Sequence, residues 1–253
     1  QRVYDKFQFL TIGCKINDIN SMNKNIYVKK INTIGNYAVW LMDGALIRKE
    51  INENFVKCAD NNQFGFVPKN EFWIDEDLDP KEYPYFVDRF IYEKGLLDSG
   101  KNYTDADKEA DNFEKKERQN STEFRQISKP NPSKKELLEK IKNKAIEKYS
   151  GKVKVWLVDG NLVRSFFLLD YCEGGHDLVY PFIPKNEIWI EEAISPQERK
   201  FIILHELHER YLMSQGKSYK NAHIGATEVE DHYRENLKED LETRIKEEMV
   251  KNG

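Results

Sequence analysis

The chain is short of cysteine, of long apolar runs and of any excess of one charge, and each shortage closes off a class of protein. Its three cysteines, Cys14, Cys58 and Cys172, are odd in number and show no C-x-x-C spacing. That excludes a disulfide framework and a cysteine-ligated zinc ribbon, and fits a reducing, cytoplasmic setting. No apolar run approaches the roughly eighteen residues that a bilayer-spanning helix needs, and the N-terminus lacks the apolar stretch of a signal peptide. Neither membrane insertion nor secretion is expected. The chain opens on Gln1, as a piece of a longer protein would. Charge is plentiful but balanced: 40 Lys+Arg against 44 Asp+Glu leave a formal charge of -4, with the signs interspersed. Nothing marks a surface for nucleic acid or for anionic lipid. With 39% hydrophobic residues over 253 positions, packed cores are within reach and two modest domains are expected.

What the chain does contain is an internal repeat. Residues 39–118 align without a gap onto residues 155–234, so each position pairs with the one 116 further on. Val39-Trp40-Leu41-Met42-Asp43-Gly44 answers Val155-Trp156-Leu157-Val158-Asp159-Gly160, and Arg48 answers Arg164. Pro68-Lys69-Asn70-Glu71-Phe72-Trp73-Ile74 answers Pro184-Lys185-Asn186-Glu187-Ile188-Trp189-Ile190. Repetition on this scale means two copies of one structural unit. The expected organisation is an N-terminal segment (1–35), a first module (36–118), a linker with a connecting helix (119–150) and a second module (151–253).

Within a module, Val155 to Leu157 and Leu162 to Leu169 read as strands joined by a tight hairpin at Asp159-Gly160. Leu178 to Ile183 and the alternating Glu187 to Glu191 read as two more. Ser195-Pro196 opens a helix running to about Ser214, which Gly216 ends, and a second helix starts near Ser218. Beyond about Glu235 the charge run reads as a solvated helix. The fold class is α+β: two tandem repeats, each a small antiparallel β-sheet followed by a helical hairpin. Asn25-Ile26-Tyr27-Val28 suggests a strand before the first copy. Between the copies, Lys129-Pro130-Asn131-Pro132 reads as a linker. Ser133 with Glu136 reads as a capping box for an amphipathic helix through Leu137, Leu138, Ile141, Ala145 and Ile146.

The copies differ where the chemistry is. All five histidines, His176, His205, His208, His223 and His232, lie in the second. Their first-copy counterparts are Asp60, Arg89, Tyr92, Asp107 and Lys116, and Glu206 is matched by Phe90. Glu209 and Glu230, by contrast, are matched by Glu93 and Glu114. If the second copy holds a divalent cation, Arg89 is placed to put a fixed positive charge in the same space in the first, with Glu93, Asp107 and Glu114 as partners. Phe90 removes the carboxylate that would act as a base, so the first copy is expected to do no chemistry.

The run His205-Glu206-Leu207-His208-Glu209 resembles the zincin signature H-E-x-x-H, with Glu209 where the second histidine stands. The resemblance covers this helix and its successor and, loosely, the strand before them, about a quarter of the chain. It implies a zinc-dependent peptidase or amidase acting on a protein or peptide substrate. His205 and Glu209, at i and i+4 on one helix face, would be ligands, with His223 from the next helix as the third. This is the donor set of a thermolysin-type site with the order of one histidine and the carboxylate exchanged. Glu206 would be the general base. Glu230 would be a fourth ligand or an outer acceptor orienting an imidazole. Zinc is preferred over iron or manganese for such a helical imidazole–carboxylate set. His176, in what reads as a flexible loop, Arg164 and Tyr219 are candidates for steadying a developing oxyanion. His208 and His232 read as surface residues, and the features shared by both copies, Asp159-Gly160, Trp156 and Trp189 among them, read as structural.

The alternative is a non-catalytic two-module interaction protein whose second module is stapled by a structural metal or has none. In that case His205 and His208 are ordinary helix residues paired with neighbouring charges, and Glu209 serves only the fold.

Overall fold

A computed structural model describes residues 26–52, 54–129 and 131–253. Most of the N-terminal segment, including Cys14, and Pro130 of the linker lie outside the described residues. The chain forms two compact units, Gln1–Glu76 and Asp77–Gly253. The fold is α+β, with two four-stranded sheets in tandem, each followed in sequence by helices.

In the first unit, β1 (Tyr27–Ile34), β2 (Tyr37–Met42), helix α1 (Gly44–Glu50), β3 (Cys58–Ala59) and β4 (Glu71–Asp75) make a sheet of order β1-β2-β4-β3. The strand expected near residue 26 is β1. The second unit opens with a helical hairpin, α2 (Tyr83–Asp98) and α3 (Tyr103–Asn120), then α4 (Thr122–Ser128) and α5 (Lys134–Ile141). The second sheet follows, from β5 (Lys142–Ala145), β6 (Lys154–Val158), α6 (Gly160–Phe166), β7 (Gly174–His176) and β8 (Glu187–Glu191), in the order β5-β6-β8-β7. Three helices close the chain: α7 (Glu198–Ser214), α8 (Tyr219–Glu235) and α9 (Leu241–Lys251). Among the described residues no helix is long and apolar enough to cross a membrane.

The central strands, β2 with β4 and β6 with β8, run parallel, and only the outer pairs are antiparallel. The expected Asp-Gly hairpin is therefore absent. Asp43 and Asp159 are helix N-caps, their Oδ1 atoms accepting from Leu46 N at 2.8 Å and Leu162 N at 2.9 Å. What reads as a second strand, Leu162 to Leu169, is α6 and its exit. A crossover of this kind returns the chain so that the next long strand runs parallel to the first. Glycine is required for a different reason than a turn. A Cβ on Gly160 would lie 2.3 Å from the Glu191 carboxylate, and one on Gly44 would lie 1.8 Å from that of Asp75. These carboxylates meet Arg164 and Arg48, the arginines repeated in both copies.

Three other segments depart from the pattern. Leu178 to Ile183 is a turn, with Val179 N and Tyr180 N both donating to His176 O. Pro181 in its middle has no N–H for a ladder. The capping box at Ser133 and Glu136 is present, but α5 stops at Ile141, and Lys142 to Ala145 leaves the helix to pair with β6. The C-terminal run breaks after Glu235 and restarts at Leu241, capped by Asp240, as α9. That helix is no solvated spar: Ile245 and Glu248 are fully buried against the rest of the unit.

The core beneath the candidate site joins Val155, Leu157, Ile188 and Ile190 of the sheet to Ile202, Ile203, Leu204 and Leu207 of α7 and Ile245 of α9. Trp156 pairs in register with Trp189 across the parallel strands, as Trp40 does with Trp73. Such burial, worth about 25 cal/mol per Å² of apolar surface, fixes the rotation of α7 and hence which side chains turn inward beside its apolar stripe. A buried ion cluster adds to this. Glu82 takes hydrogen bonds from both Arg118 and Arg164, and Arg164 also grips Glu191 and the Tyr171 carbonyl. Burial alone would disfavour the Glu82 charge, but the two guanidinium groups hold its pKa below the ordinary carboxylate value.

Candidate metal centre

Helix α7 brings His205, Glu206 and Glu209 to the buried side of the second unit, all under a tenth exposed. α8 lies antiparallel to it at close range, because Ala222 and Ala226 are fully buried between them and a Cβ on Gly225 would touch Leu212 at 3.0 Å. That close approach puts His223 opposite His205 and Glu209. His205 Nε2 is 3.2 Å from His223 Nδ1 and 3.7 Å from Glu209 Oε2, and His223 Nδ1 is 2.8 Å from Glu209 Oε2. Tetrahedral zinc with bonds near 2.1 Å would hold its ligand atoms about 3.4 Å apart. The three atoms thus have the spacing of one face of such a site.

The remaining candidates separate by geometry. Glu230 Oε2 lies 2.8 Å from His205 Nδ1, on the far side of the ring from Glu209 and His223. It meets the ring nitrogen that does not face Glu209 and His223, and it is in neither group of atoms close enough together to hold an ion. Arg234 holds Glu230 at 2.8 Å and Glu198 at 2.6 Å, so His205 ends a chain of alternating charge that runs back to the start of α7.

His176 is not in a flexible loop. It ends β7, fully buried, with Nε2 3.0 Å from Glu209 Oε1 and Nδ1 3.2 Å from Leu178 N. It faces the ligand cluster and is not free to reach toward a substrate carbonyl. Arg164 is consumed by Glu82, Glu191 and the Tyr171 carbonyl, so it is not placed to steady an oxyanion. Tyr219 stacks on His223 with ring centroids 5.6 Å apart. His232 is half exposed beside Glu239, whereas His208, expected at the surface, sits 3.0 Å from the fully buried Glu248 of α9.

Glu206 points between α7 and β7. A Cβ on Gly174 would come within 3.2 Å of its side chain, so glycine in the strand leaves room for the carboxylate. Its Oε2 has no hydrogen-bond partner among the described residues. Burial, and then the charge of Glu209, push the Glu206 pKa up to about 8. Glu209 goes the other way: despite burial, hydrogen bonds from His176, His205 and His223 hold it well below the carboxylate range. Burial likewise opposes the charges of His205 and Glu230. The Glu209 and Glu230 carboxylates nevertheless lift His205 well above the ordinary imidazole value, and His205 and Arg234 bring Glu230 down to about 2. Two neighbouring carboxyl groups are thus driven apart, one kept charged and one inclined to hold a proton.

The first copy provides an internal control within the α2–α3 hairpin. Arg89, in the place of His205, lies 3.0 Å from Glu93, 2.5 Å from Asp107 and 3.7 Å from Glu114, as the alignment implies. Asp111, opposite Thr227 in the alignment, adds a further partner at 3.0 Å that the comparison of histidines did not suggest. The supporting chain is repeated too, with Glu82, Arg118 and Glu114 standing where Glu198, Arg234 and Glu230 stand. The site residues the sequence reading missed are the strut around Arg210. Arg210 binds Asp177 at 2.7 Å, Asn186 at 3.0 Å and Asn252 at 3.1 Å, tying the segment after His176 and the C-terminus to α7. Nothing in local spacing marks that strut.

The chain matches no protein-family model, no curated protein and no solved structure.

Proposed function

We propose that the second module is a zinc-dependent hydrolase, acting on a peptide or amide bond, and that the first is a metal-free copy of it that does no chemistry. The observation that carries this reading is the convergence of His205, Glu209 and His223 to ligand spacing, with the unpartnered, buried Glu206 carboxylate next to them. Zinc in such a site supplies Lewis acidity, polarising a carbonyl and acidifying water. His205, Glu209 and His223 would hold it. With Glu230 behind His205, three protein ligands leave a position for water or substrate, the arrangement of catalytic rather than structural zinc. Glu206 would take the proton from the attacking water and deliver it to the leaving amine. A nearby dication would lower its pKa from about 8 toward a value suited to a base at neutral pH.

A structural staple is the second reading, and the burial of His205, Glu206 and Glu209 favours it: only His223, its side chain 37% exposed, opens to solvent. Glu206→Gln separates the two. A hydrolase keeps its zinc and loses on the order of 10²–10⁴ of its peptidase rate. A staple keeps its zinc and its melting temperature, and no peptide cleavage is found in the parent protein either.

A further inference from the structure

Two triads in this site have ligand atoms close enough for a cation, His205 with Glu209 and His223, and His176 with Glu206 and Glu209. They share Glu209, whose two oxygens face opposite ways: Oε2 toward His205 and His223, Oε1 toward His176. On distance alone this is the outline of a carboxylate-bridged pair of ions. The ring protons decide otherwise. The Leu178 backbone N–H can only donate, and it points at His176 Nδ1 from 3.2 Å, so that nitrogen carries the lone pair. The proton of neutral His176 is then on Nε2, where it meets Glu209 Oε1. To bind a cation through Nε2, His176 would have to move that proton to Nδ1, against a backbone donor in a fully buried strand end. His205 has the opposite arrangement: its Nδ1 faces the Glu230 carboxylate, an acceptor that keeps a proton there, so the proton a cation would displace is the one on Nε2, on the side of Glu209 and His223.

Building on the metal site proposed above, we infer that His176 is a positioning residue and not a ligand, and that the centre takes one cation. His176 donates to Oε1 of Glu209, fixes the carboxylate plane and leaves Oε2 as the single ligating oxygen. The residue works with the strut behind it, since Asp177, next in sequence, is held by Arg210. The first copy has no histidine: Asp60, aligned with His176, accepts from the backbone N–H groups of Asn62 and Gln63.

The test uses the full chain with histidine ring nitrogens labelled, loaded with zinc alone and observed by long-range ¹H–¹⁵N NMR. The expected spectrum shows His176 protonated on Nε2 with no metal-bound nitrogen, and His205 protonated on Nδ1. Zinc titration should give one ion per chain. His176→Leu should keep that stoichiometry with affinity lowered about 10–100-fold, the usual cost of removing an outer-shell partner. His176→Gln, whose amide can still donate to Glu209, should recover most of it. A metal-bound shift on His176, a second zinc that His176→Leu abolishes, or unaltered affinity in His176→Leu would overturn the inference while leaving the first site standing. Failure of the parent chain to bind any zinc would instead remove the site and this inference together. If His176→Leu does not fold, the spectrum of the parent protein decides.

Discussion

At the scale of single residues, the molecule carries the same polar cluster in two charge states. In the second module imidazoles and carboxylates face one another, and in the first a guanidinium fills the centre of four carboxylates. That Arg89 compensates those charges can be tested by Arg89→Met. With Glu93 nearly buried and Glu114 left to Arg118 alone, losing Arg89 should destabilise the protein by about 3 kcal/mol, the low end for breaking a buried ion pair. The deficit should depend on pH in a definite direction. Uncompensated buried carboxylates have raised pKa values in the folded state, so that state binds more protons than the unfolded chain. The loss is then full at neutral pH and shrinks as pH falls through those raised values. Denaturant melts of both proteins at pH 7 and pH 5 measure it, and a deficit that grew on acidification would refute the compensation. The cluster's members were legible because the repeat aligned Arg89 with His205. The burial of His176 was not, since Gly174-Gly175 reads locally as a flexible loop. Only the pairing of β7 with β8 reveals that glycine is there to admit Glu206 and Tyr180.

At the scale of elements, the two-copy α+β plan and the helical hairpin of the second module were readable from periodicity and caps. Strand direction was not. Asp-Gly between apolar runs is a strong hairpin signal, but it is equally an N-cap followed by a glycine that must sit against a carboxylate. Which applies depends on Glu191, some thirty residues away in sequence. If Asp159 caps α6, Asp159→Ala should cost about 1 kcal/mol, with the loss readable as a shift of the urea midpoint at unchanged slope. An Asp at a hairpin turn exposed to solvent would lose only a few tenths, and that outcome would argue against the cap. The C-terminal helix escapes the sequence pattern for a related reason. Its composition is that of a solvated helix, and the buried stripe of Ile245 and Glu248 emerges only once α7 presents His208 and Leu207 to it.

At the scale of the whole molecule, the second compact unit combines a helical hairpin of one repeat with the sheet and helices of the other, keyed by Glu82 between Arg118 and Arg164. The helical hairpin of the copy without histidines thus belongs to the body that carries the candidate centre. Under the proposed function, a side-chain cation, Arg89, fills the centre of the first hairpin, and a metal ion would take the corresponding place among His205, Glu209 and His223 in the second. That contrast is the central claim, and metal content tests it most directly. Elemental analysis of the purified, untagged protein and of His205→Ala should find about one zinc per chain in the parent and none in the variant. Zinc in neither, with none taken up on addition, would contradict the account and leave a two-module interaction protein. So would equal zinc in both, which would place the metal outside this helix pair.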